Sequence, residues 1–280
     1  MSILTETYQL NTGNEIPKVG FGTWQIPDGK PTYDAVTAAL KAGYRHIDTA
    51  KAYRNEESVG QAIFDSDVDR ENVFVTSKLP AETKTYDGVI KDFKSTMKAL
   101  DFSYLDLYLV HAPWPWGQRG STEYDEANRE VWQAMQDIYN SGEAKAIGVS
   151  NFNVHDLKNI LDMADVKPAV NQIRYFAGYT EPQITKFIKD NGILVEAYSP
   201  LATGALFENQ DIQQMANKYG VSIAQLAIKF VLQNDVLPLP KAVNEEHIKN
   251  NTQLDFEISP DDMELLDDFR IESECGANLG

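Results

Sequence analysis

The sequence of 280 residues has one cysteine and no long apolar run, and both absences exclude classes of protein. Because Cys275 stands alone, an intrachain disulfide and a cysteine-rich zinc site are excluded, and a reducing compartment is favoured. No run reaches the about 18 consecutive apolar residues of a membrane span, and the N-terminus lacks the basic and apolar regions of a secretion signal. We therefore expect a cytoplasmic protein with no membrane partner.

Positive charge is also scarce. The chain has 25 Lys and Arg residues against 42 Asp and Glu residues, which gives a formal net charge of −17. Such a surface repels nucleic acid and anionic lipid, so we expect neither as a partner. A phosphate-bearing ligand would have to be held by a few local cations and backbone amides.

Short apolar strands alternate with helices along the whole chain. Parallel strands that are buried on both faces have this composition, and about eight of them in alternation with helices predict a (β/α)₈ TIM barrel. We expect a single domain over residues 1–280, with an N-terminal β-hairpin (residues 7–10 and 15–19) closing the bottom and extra C-terminal helices (residues 245–250 and 260–269). The predicted barrel strands are residues 19–23, 45–49, 73–77, 105–110, 146–149, 169–172, 193–197 and 236–240.

An open doubly wound sheet is the alternative fold. Such a sheet usually carries its nucleotide on a Gly-x-Gly-x-x-Gly turn between the first strand and a helix. Here Gly20 and Gly22 are followed by Gln25 at the third position, and a proline-containing segment comes next. The pattern therefore favours the barrel.

Four polar side chains follow, or end, three successive predicted strands. They are Asp48, Tyr53, Lys78 and His111, and Asn55 is placed to cap the helix after Tyr53. Since the carboxyl ends of all barrel strands meet at one mouth, and active sites of such barrels lie there, we expect the four side chains to converge.

The chemistry of this set is coherent. A phenol is a poor acid at neutral pH, but an adjacent ammonium stabilises its phenolate, and a carboxylate can hold the ammonium in place. A neutral imidazole can orient a carbonyl oxygen by a hydrogen bond. The set has no obvious nucleophile and no metal-ligand cluster, so we expect no metal site, and the missing reactant would be a hydride from a nicotinamide cofactor.

Motifs over nearly the whole chain resemble the aldo-keto reductase superfamily, in particular its bacterial 2,5-diketo-D-gluconate-reductase-like branch. They occur in order and include the sequences VGFGTW, FVTSK, GVSNF, AYSPL and PK. The matching segments are residues 19–24, 43–60, 74–78, 106–111, 148–152, 171–172, 197–201 and 240–241.

The resemblance implies a monomeric, NADPH-dependent enzyme that reduces aldehydes or ketones, including diketones or keto sugars, to alcohols. It implies Tyr53 as general acid, assisted by Lys78, Asp48 and His111. It places the substrate against Trp24, His111 and Trp114. The cofactor-binding positions that it implies are Gly22, Thr23, Ser150, Asn151, Gln172, Tyr198, Ser199, Pro200, Leu201, Lys241, Val243, Asn244, His247 and Asn251.

Within that cofactor set the resemblance implies distinct roles. The side chains of Ser150, Asn151 and Gln172 would hold the carboxamide, and Tyr198 would stack on the nicotinamide ring. Lys241 would face the adenosine 2′-phosphate.

The sequence departs from the family pattern at both ends of the site. Ala242, His247 and Asn250 stand where serine, arginine and glutamate are common near the 2′-phosphate, so NADH is a weaker alternative cofactor. Ala112 replaces a common tryptophan after the catalytic histidine, with Trp114 and Trp116 slightly later. Two alternative functions are a nucleotide-binding regulatory or structural protein on the same barrel, and a phosphate-sugar isomerase.

Overall fold

The fold is built on eight parallel strands, seen in a computed structural model that describes residues 3–270. An antiparallel hairpin, β1 (Thr7–Gln9) and β2 (Glu15–Pro17), precedes them. The parallel strands are β3 (Phe21–Gly22), β4 (His46–Asp48), β5 (Phe74–Leu79), β6 (Leu107–Val110), β7 (Ile147–Ser150), β8 (Val170–Arg174), β9 (Leu194–Tyr198) and β10 (Leu237–Leu239).

Helices connect the parallel strands and follow the last of them. They are α1 (Lys30–Lys41), α2 (Glu56–Phe64), α3 (Tyr86–Leu100), α4 (Asp125–Asn140), α5 (Val154–Leu161), α6 (Pro182–Asp190), α7 (Gln210–Tyr219), α8 (Ile223–Gln233), α9 (Glu245–Asn250) and α10 (Pro260–Asp268). Within residues 3–270, no helix combines the length and apolarity needed to cross a bilayer.

Each barrel strand pairs with its neighbour in the sequence, from β3 to β10. Two backbone hydrogen bonds join the first strand region to the last, from Gly20 N to Pro238 O at 3.1 Å and from Gly22 N to Pro240 O at 3.0 Å. A Cβ atom on Gly20 would lie 2.5 Å from the side chain of Leu239 and 2.6 Å from that of His46, so a larger residue there would displace these side chains. The predicted TIM barrel is confirmed.

The N-terminal hairpin closes the bottom of the barrel, as predicted. Leu10 and Ile16 are buried in an apolar cluster with inward-facing side chains of the strands. The hairpin is also tied to loops at that end, since Asn14 Nδ2 donates to the backbone oxygen of Lys145 at 2.7 Å. With this end filled, the cavity of the barrel lies at the opposite end, where the strands have their carboxyl termini.

Two helices begin with reciprocal caps that their sequences specify. The side chain of Asn153 accepts from the backbone N–H of Asp156, whose carboxylate accepts from Asn153 N–H at the start of α5. Ser222 and Gln225 make the same box at the start of α8. Such boxes satisfy N–H groups that would otherwise lack partners, which fixes where each helix begins.

Three local predictions need correction. Strand β5 continues past Lys78, so this lysine lies inside the strand and not at its end. Asn55 precedes α2 but does not cap it with its side chain. Its buried amide instead donates to the backbone oxygens of Thr23 and Ile26, at 3.0 and 3.1 Å. The stretch Ala202–Glu208 forms 3₁₀ turns that were not predicted. Residues 271–280, which include Cys275, lie outside the described residues.

Candidate active site

A cavity of about 530 Å³ opens at the carboxyl ends of the barrel strands. Asp48, Tyr53 and His111 line it, while Lys78 lies completely buried beneath them. The volume suits a small-molecule ligand. The structure therefore brings the four predicted catalytic side chains to one place, as the barrel topology requires.

The Lys78 ammonium is the centre of this group. Its Nζ donates to both carboxylate oxygens of Asp48, at 2.7 and 2.8 Å, and to the backbone oxygen of Thr49 at 2.9 Å. It also lies 3.3 Å from the hydroxyl of Tyr53. A buried charge is tolerated only when it is paired and hydrogen-bonded, and this lysine meets both conditions.

Strand alternation aims these side chains inward. Asp48 pairs with Thr76 across β4 and β5, and Lys78 lies on the same face of β5 because it is two positions further along the strand. Burial lowers the pKa of Lys78, but the adjacent Asp48 carboxylate and the Tyr53 phenol reverse this effect, and the net result is a raised pKa. The lysine is therefore a permanent cation under the cavity floor.

Tyr53 ends a short 3₁₀ turn, Lys51–Tyr53, which lifts its ring from the end of β4 into the cavity. Its pKa is raised chiefly by burial; Lys78 acts in the opposite direction, and Asp48 adds to the rise. The phenol is therefore protonated near neutral pH and has a cation beside it, ready to stabilise the phenolate. A proton donor needs both properties.

His111 follows β6 and is 7% exposed. Its ring stands edge-on to Tyr53, with the ring centres 5.7 Å apart. Burial, and secondarily the charge of Lys78, hold the pKa of His111 well below its usual range. Within residues 3–270, its Nδ1 has no hydrogen-bond partner. The imidazole is therefore neutral near neutral pH, and the residue lines the cavity.

One wall of the cavity is a connected polar group. Asn151 Nδ2 donates to the backbone oxygen of His111 at 2.9 Å and to Ser150 Oγ at 3.1 Å. The Tyr198 hydroxyl donates to Asn151 Oδ1 at 2.8 Å, and Gln172 Nε2 donates to Asp48 at 2.9 Å. These bonds join the side chains that, by the family resemblance, are expected to hold the carboxamide and the ring of a nicotinamide.

The remaining predicted cofactor residues fall into two sets. Those that line the cavity are Gly22, Ser199, Pro200, Leu201 and Lys241. Those outside the lining are Thr23, Val243, Asn244, His247 and Asn251. Among the second set, Thr23 is fully buried and donates to the backbone oxygen of Asp48, and Asn244 caps α9 through its side-chain oxygen.

The predicted aromatic wall is built differently from the expectation. Trp24 lines the cavity, but Trp114 is 5% exposed and does not. Trp116 takes the wall position, with its ring centre 5.1 Å from that of His111 and 6.0 Å from that of Trp114. Trp116 begins a 3₁₀ turn, Trp116–Gln118, whereas Trp114 is buried in a small apolar cluster with Ala81 and Ala112.

Several lining residues were not predicted. They are Gln25, Ala52, Thr203, Gly204, Phe207 and Leu239. Thr203, Gly204 and Phe207 belong to the unpredicted 3₁₀ stretch, where Thr203 and Gly204 have positive φ angles of 55° and 100°. The glycine was the one local signal for this turn. Phe207 is 51% exposed at the rim, which no pattern in the sequence indicated.

A cluster of possible metal ligands lies elsewhere. Ligand atoms of Asp125, His155 and Asp156 lie within 4.8 Å of one another. His155 is already paired with Asp125 at 2.7 Å, and Asp156 accepts from the backbone N–H of Asn153. One of these bonds caps the start of α5 and the other joins α5 to α4, so both have a structural role that needs no metal ion.

A barrel with this group at its mouth defines a class. A buried ammonium under a phenol, beside a neutral imidazole, suits protonation of a carbonyl oxygen rather than hydrolysis, because within the described residues lining the cavity there is no serine–histidine or cysteine nucleophile pair. The fold and this group of side chains together are those expected of a barrel oxidoreductase.

The comparisons with known proteins agree with this class. The chain belongs to the Aldo/keto reductase family, whose model matches residues 18–271. It is 38% identical over 276 residues to a glyoxal reductase of Bacillus subtilis, covering 98% of this chain and 96% of that protein. It is 39% identical over 283 residues to an aldehyde reductase of Saccharomyces cerevisiae, covering 93% and 89%.

Solved structures show the same fold. An aldo-keto reductase from a Medee basin deep-sea metagenome library is 34% identical, has a TM-score of 0.87, and covers 98% of this chain and 99% of its own. A Bombyx mori aldo-keto reductase in complex with NADP is 32% identical, has a TM-score of 0.84, and covers 96% and 95%. The predicted superfamily is confirmed.

Proposed function

We propose that the protein reduces aldehydes and ketones to alcohols with NADPH, with Tyr53 as the general acid. The observation that carries the proposal is the contact of the buried Lys78 ammonium with both Asp48 and the Tyr53 hydroxyl at the cavity floor. The similarity to a glyoxal reductase adds small dicarbonyl compounds as favoured substrates. A monomeric state and a cytoplasmic location stay predictions.

The polar wall of the cavity fits a nicotinamide. The amide side chains of Asn151 and Gln172 and the hydroxyl of Ser150 offer donors and acceptors to a carboxamide, and the Tyr198 ring offers a flat face. Lys241 is an exposed cation at the cavity edge, where it would attract the 2′-phosphate at the adenosine end of the cofactor. Bound NADPH would supply the hydride that these side chains cannot.

The chain's own residues then account for the proton. The neutral imidazole of His111 orients the substrate oxygen by a hydrogen bond. The Tyr53 hydroxyl transfers its proton to that oxygen as the carbonyl carbon accepts a hydride, and the product is an alcohol. Lys78 stabilises the phenolate that remains, and Asp48 holds Lys78 in place. Solvent restores the proton to Tyr53 after product release.

Two other functions fit the same barrel less well. A regulatory protein that binds a nucleotide without turnover would not need a buried acid–base group, yet the chain keeps all four side chains in contact distance. A phosphate-sugar isomerase would need a glycine-rich phosphate site in the late loops, and residues 240–251 contain no glycine. The reductase therefore fits best.

A panel of carbonyl compounds tests the proposed function. With glyoxal, methylglyoxal and simple aromatic aldehydes, we expect the protein to oxidise NADPH, which is measured as a fall in the absorbance of the reduced nicotinamide. With NADH in place of NADPH, we expect a slower rate. A protein that binds NADPH but oxidises it with no carbonyl on the panel would instead support the regulatory alternative.

The cofactor preference should respond to His247. Arginine is permanently charged and can clamp a phosphate with two hydrogen bonds, whereas histidine is only partly charged near neutral pH. In His247→Arg, we expect the NADPH-to-NADH ratio of kcat/KM to rise by about ten-fold. His155→Arg is the control, since His155 is also exposed but lies in α5, where it pairs with Asp125, and was not predicted to bind the cofactor. An unchanged ratio in His247→Arg would show that this side chain does not face the phosphate.

Substrate range should respond to Trp116 rather than to Trp114. Trp116→Ala removes an aromatic wall, so KM for aromatic carbonyls should rise about three- to ten-fold more than KM for glyoxal. Trp114→Ala removes a buried side chain, and its main effect should be a loss of about 3–5 kcal/mol in the free energy of unfolding. Steady-state kinetics and thermal unfolding check both variants. Equal losses on all substrates in Trp116→Ala would assign this residue to loop folding instead.

A further inference from the structure

Glu196 is a buried acid that the proposed mechanism does not use. It lies in the middle of β9 with no exposed surface, and it pairs in register with Gln172 on β8. Neighbouring residues of parallel strands point to the same face of the sheet, so both side chains enter the barrel interior. Glu196 Oε2 accepts a hydrogen bond from Gln172 Nε2 at 2.9 Å.

Gln172 stands between two carboxyl groups. Its Nε2 donates to Glu196 and also to Asp48 Oδ2, both at 2.9 Å. A side-chain amide nitrogen has two hydrogens, so both donors are used below the cavity floor. The amide oxygen must then point away from both carboxyl groups. Gln172 lines the cavity, and within residues 3–270 no group donates to this oxygen.

We propose that Glu196 is a positioning residue that, together with Asp48, holds the Gln172 amide so that its oxygen faces the cavity as a hydrogen-bond acceptor. This inference rests on the proposed function, since the donor it would meet is the carboxamide N–H₂ of the nicotinamide. Without Glu196, the amide loses one of the two partners that define its orientation. A turned amide would present its own N–H₂ to the carboxamide nitrogen, and two donors cannot bond each other.

The state of Glu196 decides which substitutions are informative. Burial, and then the nearby Asp48 carboxylate, raise the pKa of Glu196 to about 8. Near neutral pH the side chain is therefore mainly a neutral acid, of which glutamine is the nearest isostere. Glutamine keeps an oxygen acceptor for Gln172, whereas leucine fills similar space without one.

Binding measurements on the whole enzyme, without substrate, test the role. Dissociation constants would be measured by tryptophan fluorescence for NADP⁺ and for 2′-phospho-ADP-ribose, which has the adenosine end but no nicotinamide. In Glu196→Leu, we expect NADP⁺ to bind about ten-fold more weakly or worse, with binding of the fragment unchanged within about two-fold. Glu196→Gln should bind NADP⁺ within about three-fold of wild type.

The fragment separates positioning from general damage. Equal weakening of both ligands in Glu196→Leu, no weakening of either, or a loss in Glu196→Gln as large as in Glu196→Leu would each overturn the proposal. If Glu196→Leu does not fold, Glu196→Met removes the oxygen acceptor with a more adaptable side chain and carries the same comparison. A wild-type protein that binds the fragment as tightly as NADP⁺ would instead count against the proposed nicotinamide site itself.

Discussion

Tyr53→Phe is expected to lose carbonyl reduction by at least about 10²-fold in kcat while it keeps its affinity for NADP⁺. The phenylalanine ring can keep the edge-on contact with His111, and only the hydroxyl 3.3 Å from Lys78 is removed. The proton donor is thereby lost without a change in cavity shape. Steady-state kinetics with glyoxal and fluorescence titration with NADP⁺ check the two halves of this expectation.

A second tyrosine gives the matched control. Tyr44 is fully buried away from the cavity, and its hydroxyl has no hydrogen-bond partner within residues 3–270. Tyr44→Phe removes the same atom from another aromatic side chain, and its kcat should stay at the wild-type value. If Tyr53→Phe also keeps the wild-type kcat, then Tyr53 is not the acid.

Lys78→Met should be the other severe variant. The phenolate loses its neighbouring cation, so the pKa of Tyr53 rises further and the phenol becomes a weaker acid. We expect reduction to fall by at least about 10²-fold. In the residual activity, the loss of rate at high pH, which reports deprotonation of Tyr53, should move to higher pH.

Stability provides an independent readout of the same variant. Removing one partner of a buried ion pair leaves Asp48 without its cation, which costs about 3–5 kcal/mol in the free energy of unfolding. Asp48→Asn should lose less activity, because Gln172 and the backbone oxygen of Thr49 still constrain the site. In the control Lys51→Met, the pair with Asp92 outside the cavity is broken and the pH profile should not move. An unchanged rate and pH profile in Lys78→Met would remove Lys78 from the mechanism.

The convergence of Asp48, Lys78 and His111 could be predicted because it depends on strand order, whereas that of Tyr53 also depends on the 3₁₀ turn Lys51–Tyr53. Strands β4, β5 and β6 are neighbours in both sequence and space, so residues at their carboxyl ends meet whatever the loops do. The exact position of a residue along its strand was harder to predict than the order of the strands. Lys78 was placed at a strand end because Lys ends the apolar run, whereas inside the barrel its ammonium is accommodated by Asp48.

Loop directions and distant partners could not be predicted. Trp114 and Trp116 are separated by one residue in a proline-rich loop, and no periodicity states which of them faces the cavity. Asn55 carried a cap signal, but its amide is taken by backbone oxygens from a loop about thirty residues earlier. Glu196 lies in an apolar strand, and the positioning role proposed for it depends on its hydrogen bond with Gln172. Helix α6 lies between these two residues in the sequence, so no local pattern predicted the contact.

The most direct measurement follows the hydrogen itself. The enzyme would be incubated with glyoxal or an aromatic aldehyde and with NADPH that carries deuterium at both positions of the reactive nicotinamide carbon, and the product would be analysed by mass spectrometry and NMR. The proposed mechanism predicts an alcohol with one deuterium, bonded to the former carbonyl carbon, because the hydride comes from the cofactor and the proton from Tyr53. An alcohol without deuterium at that carbon, or cofactor binding with no alcohol formed, would contradict it.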